Sequence, residues 1–274
     1  MKENNIKRPS VAGVFYPAGK KELEQQIREC FAFAEKEVSK DILHKARGAK
    51  ILVVPHAGYV YSGYTAACGY WALQHAATIP KKIVLVGPSH RLYFEGAAVA
   101  GHDAWGTPLG RMLVEKSAAV VLGERFSGLV RGEKKIFDGE HSMEVQVPFL
   151  QTIFGDSVLV PIMYSDITSR ELADIFEAVD GSDTVFVISS DLSHFLPYLE
   201  AQKTDGVSNE LILNLAVEEA EGHLDACGKI GIIAAMRYAK KLGLSGMLVN
   251  YLNSGDTAGD KESVVGYAAY LFYM

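Results

Sequence analysis

The sequence predicts an α/β protein, a three-layer α/β/α sandwich around a mixed β-sheet. Three observations predict it. Apolar runs of strand length alternate with segments whose apolar residues recur every third or fourth position. Several of those runs are apolar throughout, as strands buried on both faces are. The last two runs are joined by a connection too short for a helical crossover, so they should pair antiparallel.

In chain order the strand runs are "KILVVPH" (50–56), "KIVLVGP" (82–88), "GAAVAGH" (96–102), "SVLVPIMY" (157–164), "TVFVISS" (184–190), "GMLVNYLN" (246–253) and "SVVGYAAYLFY" (263–273). Between several of them lie helical stripes. Over 20–38 the residues Leu23, Ile27, Phe31, Ala34 and Val38 fall on one face. Similar stripes run through 63–76, 142–154, 169–179, 207–220 and 229–242. The final pair of runs is separated by "SGDTAGDKE". No Pro/Ser-rich linker, low-complexity tract or internal repeat interrupts the pattern, so the expectation is one domain over 1–274.

Composition narrows the function. The 274 residues are 49% hydrophobic and 22% charged, ordinary for a globular chain that can bury a large core. A formal charge of -6, with basic pairs scattered along the chain, argues against a nucleic-acid partner. No apolar run is long enough to span a bilayer, and the amino terminus lacks a signal-peptide core. Three cysteines, with no CxxC, suit a reducing compartment. The expectation is a cytoplasmic protein without membrane or nucleic-acid partners.

Chemistry gathers at strand exits. Three apolar runs lead directly into histidines: "ILVVPHAGY" to His56, "IVLVGPSH" to His90 and "VFVISSDLSH" to His194, which also brings Asp191. Ligands in open α/β sheets collect outside the carboxyl ends of strands, where such residues converge. Imidazole is the commonest metal ligand and the usual general base. A turn-forming role for Asp191 and the serines is the plain alternative. Cys227 stands just before a helical stripe, where a thiolate is favoured; a buried, inert cysteine is the alternative. In "FDGEHSMEVQVPFL", Asp138 is a candidate helix cap and Glu140 and Glu144 sit a turn apart around His141. They form either a solvated helix start or, for Glu140 and His141, a support behind a metal ligand that fixes its tautomer. Signatures of dinucleotide enzymes, P-loop NTPases, zincins and α/β-hydrolases are absent.

Taken together, "RPSVAGVFYP", "PHAGYVYSG", "VGPSH", "WGTPLG", "DGEHSMEVQVPFL", "SSDLSH", "CGKIGI" and "DKESVVGYAAY" resemble the Memo family, in family order over nearly the whole chain. The resemblance implies an α/β/α fold related to the class III extradiol dioxygenases, non-haem Fe(II) enzymes. It implies His56, His90 and Cys227 as metal ligands, with Asp191 and His194 lining the same pocket and His194 in the acid/base position. Cys227 departs from the dioxygenases, which use a carboxylate there. A thiolate is softer, so the two-histidine, one-cysteine set also suits Cu(I) or Zn(II) beside Fe(II), which the resemblance makes the expected metal. The expected function is redox or oxygen-linked chemistry on a small-molecule or peptide ligand. The alternative is a non-catalytic adaptor that keeps the cleft for binding, as vertebrate Memo is described to bind phosphorylated receptor peptides. A metal-dependent phosphoester hydrolase is a third reading.

Overall fold

Why the long apolar runs form a central sheet is visible in how their residues divide between its faces. The computed structural model describes residues 5–274. In chain order its elements are β1 (Ile6–Lys7), α1 (Lys20–Glu37), α2 (Lys40–Lys45), β2 (Ala49–Val54), α3 (Tyr59–Leu73), β3 (Lys82–Pro88), β4 (Ala97–Val99), β5 (Ala104–Thr107) and β6 (Gly110–Leu113). There follow α4 (Ser117–Arg125), β7 (Val130–Gly132), α5 (Val147–Phe154), β8 (Val158–Tyr164), α6 (Ser169–Val179), β9 (Thr184–Ser189), β10 (His194–Leu196), α7 (Tyr198–Leu213) and α8 (Val217–His223). The chain closes with α9 (Lys229–Leu242), β11 (Ser245–Asn253), α10 (Ser254–Thr257) and β12 (Val264–Tyr273).

Successive strand residues point to opposite faces. Leu52, Val54, Ile83, Leu85, Val185 and Val187 join a core with α1, α3 and α5. Ile51, Val53, Val84, Val86, Phe186 and Ile188 join a second core with α4, α6, α8 and α9. Each such side chain contributes roughly 1.5–3 kcal/mol on full burial, so both faces must be covered. This is the α/β/α sandwich.

The sheet is mixed. β2, β9, β3 and β8 lie side by side and parallel. β12 pairs antiparallel with β2, and also with β10 and β11; β4 pairs antiparallel with β8 and parallel with β7. As their short connection requires, β11 and β12 run antiparallel, from Ser245↔Tyr273 to Asn253↔Gly266. A separate small sheet, β1-β5-β6, was not expected from the sequence.

Register places the site. Val54 of β2 pairs with Ser189 of β9, and Val86 of β3 with Ile188. The three carboxyl ends are therefore level, and His56, Asp191 and His90 each stand two residues beyond the last strand residue.

Three helical expectations need correction. The stripe over 207–220 is not one helix. α7 begins at Tyr198 and ends at Leu213, and α8 starts at Val217, because the chain turns through Leu215 at φ 50. The 63–76 stripe starts earlier, at Tyr59, and stops at Leu73. The 142–154 stripe starts later: a 3-10 turn over Glu144–Gln146 leads into α5, whose Pro148 sits in the first turn where its missing N–H costs nothing. Asp138 accordingly does not cap the helix that follows; it is exposed, at the end of a 3-10 turn over Lys135–Phe137.

Candidate functional site

The level strand ends bring remote segments to one point. One nitrogen each of His56 and His90 and the sulfur of Cys227 lie within 4.8 Å of one another. His56 is buried, Cys227 half-buried and His90 at the open lip.

Asp191 ties two of the three together. Its Oδ1 accepts the His56 backbone N–H at 2.6 Å, its backbone N–H donates to Cys227 Sγ at 3.3 Å, and its carbonyl accepts the Cys227 N–H at 3.2 Å. Cys227 reaches this point because Gly228 lets α9 approach the β9 exit closely. A Cβ at 228 would stand 2.6 Å from Ser190 Cβ and 2.9 Å from Ser189 O.

Hydrogen bonds set the tautomers. Ser189 Oγ donates its proton to Ser142 O, accepts Gln146 Nε2–H at 2.8 Å and lies 3.1 Å from His56 Nδ1. With its proton spent, Ser189 must accept from Nδ1–H, and His56 Nε2 is left bare, 3.2 Å from Cys227 Sγ. Glu140 does the same for His90: Oε2 accepts the His90 N–H at 2.7 Å and Oε1 lies 3.2 Å from its Nδ1. Both metal-candidate imidazoles therefore present Nε2.

Glu140 is buried and accepts further N–H bonds from His141 and Ser142, each at 2.9 Å. Burial works against its ionisation, but the His141 and His90 side chains and these backbone donors outweigh it and hold its carboxyl well below the usual range. Burial likewise works against charge on His90, yet its bonds to Cys227 and Glu140 prevail and push it up to about 9.

The other sequence candidates divide. His141 Nδ1 is 3.2 Å from Glu140 Oε1, and its ring joins the imidazoles: centroids 5.3 Å from His56 and 4.9 Å from His90. His141 thus stands beside the donors, and it is Glu140 and Ser189 that stand behind them. His194 lies on β10 opposite Val265. Its ring packs on Phe195, centroids 5.6 Å apart, and among the described residues it does not join the His56, His90 and His141 rings. A cavity of about 390 Å³ bounded by Arg47, Lys50, Asp180 and Leu244 lies elsewhere, at the amino-terminal edge of the parallel strands.

Residues 7–271 match the profile of the Memo family, described as Memo-like protein. The chain belongs to this family. A MEMO1 family protein of Thermoplasma acidophilum is 37% identical over 271 residues, covering 96% of this chain and 97% of that one. One from Pyrobaculum aerophilum is 38% identical over 284 residues (98% and 99%), and one from Aquifex aeolicus 34% over 283 (97% and 99%). The crystal structure of an uncharacterized protein from Escherichia coli K12 shares the fold, with a TM-score of 0.54 at 14% identity, covering 80% of this chain and 99% of that one.

In this Memo-like chain, sequence reasoning missed Ser189 and Gln146, polar residues buried beside the β9 exit. Ser189 ends the "VFVIS" run, and a hydroxyl ending a wholly buried strand was the available signal. No described helix is long and apolar enough to cross a membrane.

Proposed function

We propose that this Memo-like protein holds a metal ion on His56, His90 and Cys227 and uses it for redox or oxygen-linked chemistry on a small-molecule or peptide ligand. The observation that carries the reading is the convergence of one nitrogen each of His56 and His90 and the Cys227 sulfur within 4.8 Å of one another, each residue with its orientation fixed from behind. The donor set fits a transition metal: two imidazoles and a thiolate suit Fe(II) as the first assignment, with Cu(I) and Zn(II) as softer or tetrahedral alternatives. Such an ion supplies Lewis acidity toward a substrate oxygen or O₂.

The chain's own residues do the rest. Asp191 fixes His56 and Cys227 relative to each other. Glu140 and Ser189 hold the two imidazoles in the ligating tautomer. His194 at the β9 exit is the proposed proton carrier, and Asp191 accepts a hydrogen bond.

The alternative, a non-catalytic binding cleft for a peptide or small ligand, is favoured by Phe195. It is 76% exposed, next to His194, in a left-handed conformation (φ 60) that a bulky residue adopts only where its surroundings impose it. Metal analysis of untagged protein purified without chelator tests the first reading. Stoichiometric metal that falls in Cys227→Ser supports it; background metal, unchanged in that variant, removes it.

A further inference from the structure

Glu144 is fully buried, and its carboxylate faces the amino-terminal segment. Its carboxylate accepts from Lys7 Nζ at 3.0 Å, from the Ser10 N–H on both oxygens at 2.8 Å, from the Val11 N–H at 2.8 Å and from Tyr16 Oη at 2.9 Å. Lys7 is equally buried and spends its remaining protons on Arg8 O and Ser10 Oγ. Burying such a pair is costly unless every donor and acceptor is used, and here they are. Burial, reinforced by Glu144, also pushes the Tyr16 phenol up, so it stays a donor.

What this anchor holds is the segment from Lys7 to Tyr16. The segment folds on itself through Phe15 N–H to Val11 O (2.9 Å) and Gly13 N–H to Tyr16 O (2.7 Å). It then touches the site twice. The Phe15 ring lies on His141 with centroids 4.6 Å apart, and Phe15 O accepts the Tyr59 N–H at 2.8 Å, where α3 begins just after His56.

We infer that Lys7–Tyr16 is a clasp, anchored by Glu144, which through Phe15 sets the position of His141 and the access of solvent to it. Glu144 is a positioning residue in this arrangement, acting through ten residues of chain on a ring it does not touch. The importance of the clasp to chemistry rests on the metal-centre reading; its existence does not.

The test uses the full-length, metal-free protein and diethyl pyrocarbonate, with modification at each histidine read by peptide mass spectrometry. His141 is expected to react several-fold faster in Phe15→Ala and in Glu144→Gln, and at the parental rate in Phe15→Tyr. His75, exposed and remote from the clasp, should be unchanged throughout. An unchanged His141 rate in Phe15→Ala overturns the inference, as does a parallel rise at His75, which would mean general loosening. If Glu144→Gln fails to fold because it strands the Lys7 charge, the Phe15 pair still decides. Cobalt(II) titration of the parent protein reports separately on the metal centre: no cobalt bound, with the Phe15 effect intact, removes the metal reading and leaves the clasp.

Discussion

His90 and His141 bring their Nδ1 atoms to the same carboxylate oxygen, Oε1 of Glu140, at 3.2 Å each, with the rings 4.9 Å apart and inclined by only 25°. A carboxylate oxygen only accepts, so both rings present Nδ1–H to it and turn Nε2 away. Two histidines 51 positions apart in sequence are thereby set in the same tautomer by one side chain. The Ser142 and Met143 side chains pack against β3 here because Gly87 has none: a Cβ there would lie 2.7 Å from Met143 Cγ and 2.8 Å from Ser142 Oγ.

Replacing Glu140 by glutamine tests that shared control. The amide offers one acceptor oxygen. With that oxygen in the Oε1 place its NH₂ faces the His90 backbone N–H, and in the Oε2 place it faces both imidazole Nδ1–H groups. Either arrangement strands a donor that holds His90. Cobalt(II) affinity, followed by the thiolate-to-cobalt absorption band, should fall about 10- to 100-fold, the usual cost of losing a group behind a metal-binding histidine. Undiminished affinity would detach Glu140 from the centre.

The metal-free protein should show His90 titrating near 9, raised from 6.5. A folded-state pKa above the unfolded value means that the folded protein binds more protons between these limits. The resulting stabilisation is complete below about pH 6.5 and is lost as pH rises through about 9. Metal must displace the proton, so metal affinity should climb with pH across the same window. Imidazole NMR titration checks the first point and cobalt binding at several pH values the second; Glu140→Gln should bring the His90 midpoint down.

How much of this the sequence carried depends on whether the deciding partner was local. The runs that became β2, β3, β8, β9 and β12 were legible because burial on both faces demands unbroken apolar stretches, and β11, only partly buried, was legible through its short connection to β12. β5, β6, β7 and β10 are three or four residues long, too short for periodicity to register. The stripe over 207–220 concealed a break, since Leu211, Ile212, Leu213, Leu215 and Val217 stay apolar across it and Leu215's positive φ has no residue-type signal. Glu144 looked like an acidic helix start because its cation, Lys7, lies 137 positions away. The exits bearing His56, His90 and Asp191 were readable as a group; that His194 stands apart from the imidazole rings was not, because β10 turns away to pair with β12.

Gly228→Ala should disturb the site without touching a polar group. The added methyl meets Ser190 and the Ser189 carbonyl at 2.6–2.9 Å, so α9 and Cys227 must shift. A stability loss of roughly 1–3 kcal/mol is expected from overpacking of this kind, together with weaker cobalt binding. Gly222→Ala in α8 has open space around the new Cβ and should be neutral or stabilising, up to about 1 kcal/mol, by helix propensity. Chemical denaturation of the two variants side by side gives the comparison.

Asp191 and His194 lie three residues apart but should separate cleanly by experiment. Asp191→Ala deprives the His56 N–H of its 2.6 Å acceptor. An orphaned buried donor costs about 1–3 kcal/mol, and the link that holds His56 against Cys227 is lost with it. Cobalt affinity should drop, while Asp191→Asn, which keeps an acceptor oxygen, should retain most of it. His194→Ala removes a half-exposed ring packed on Phe195 rather than on the imidazole cluster, and should leave cobalt affinity at the parental value. A large affinity loss in His194→Ala would mean that β10 swings its histidine onto the metal, and the three-ligand assignment would have to become four.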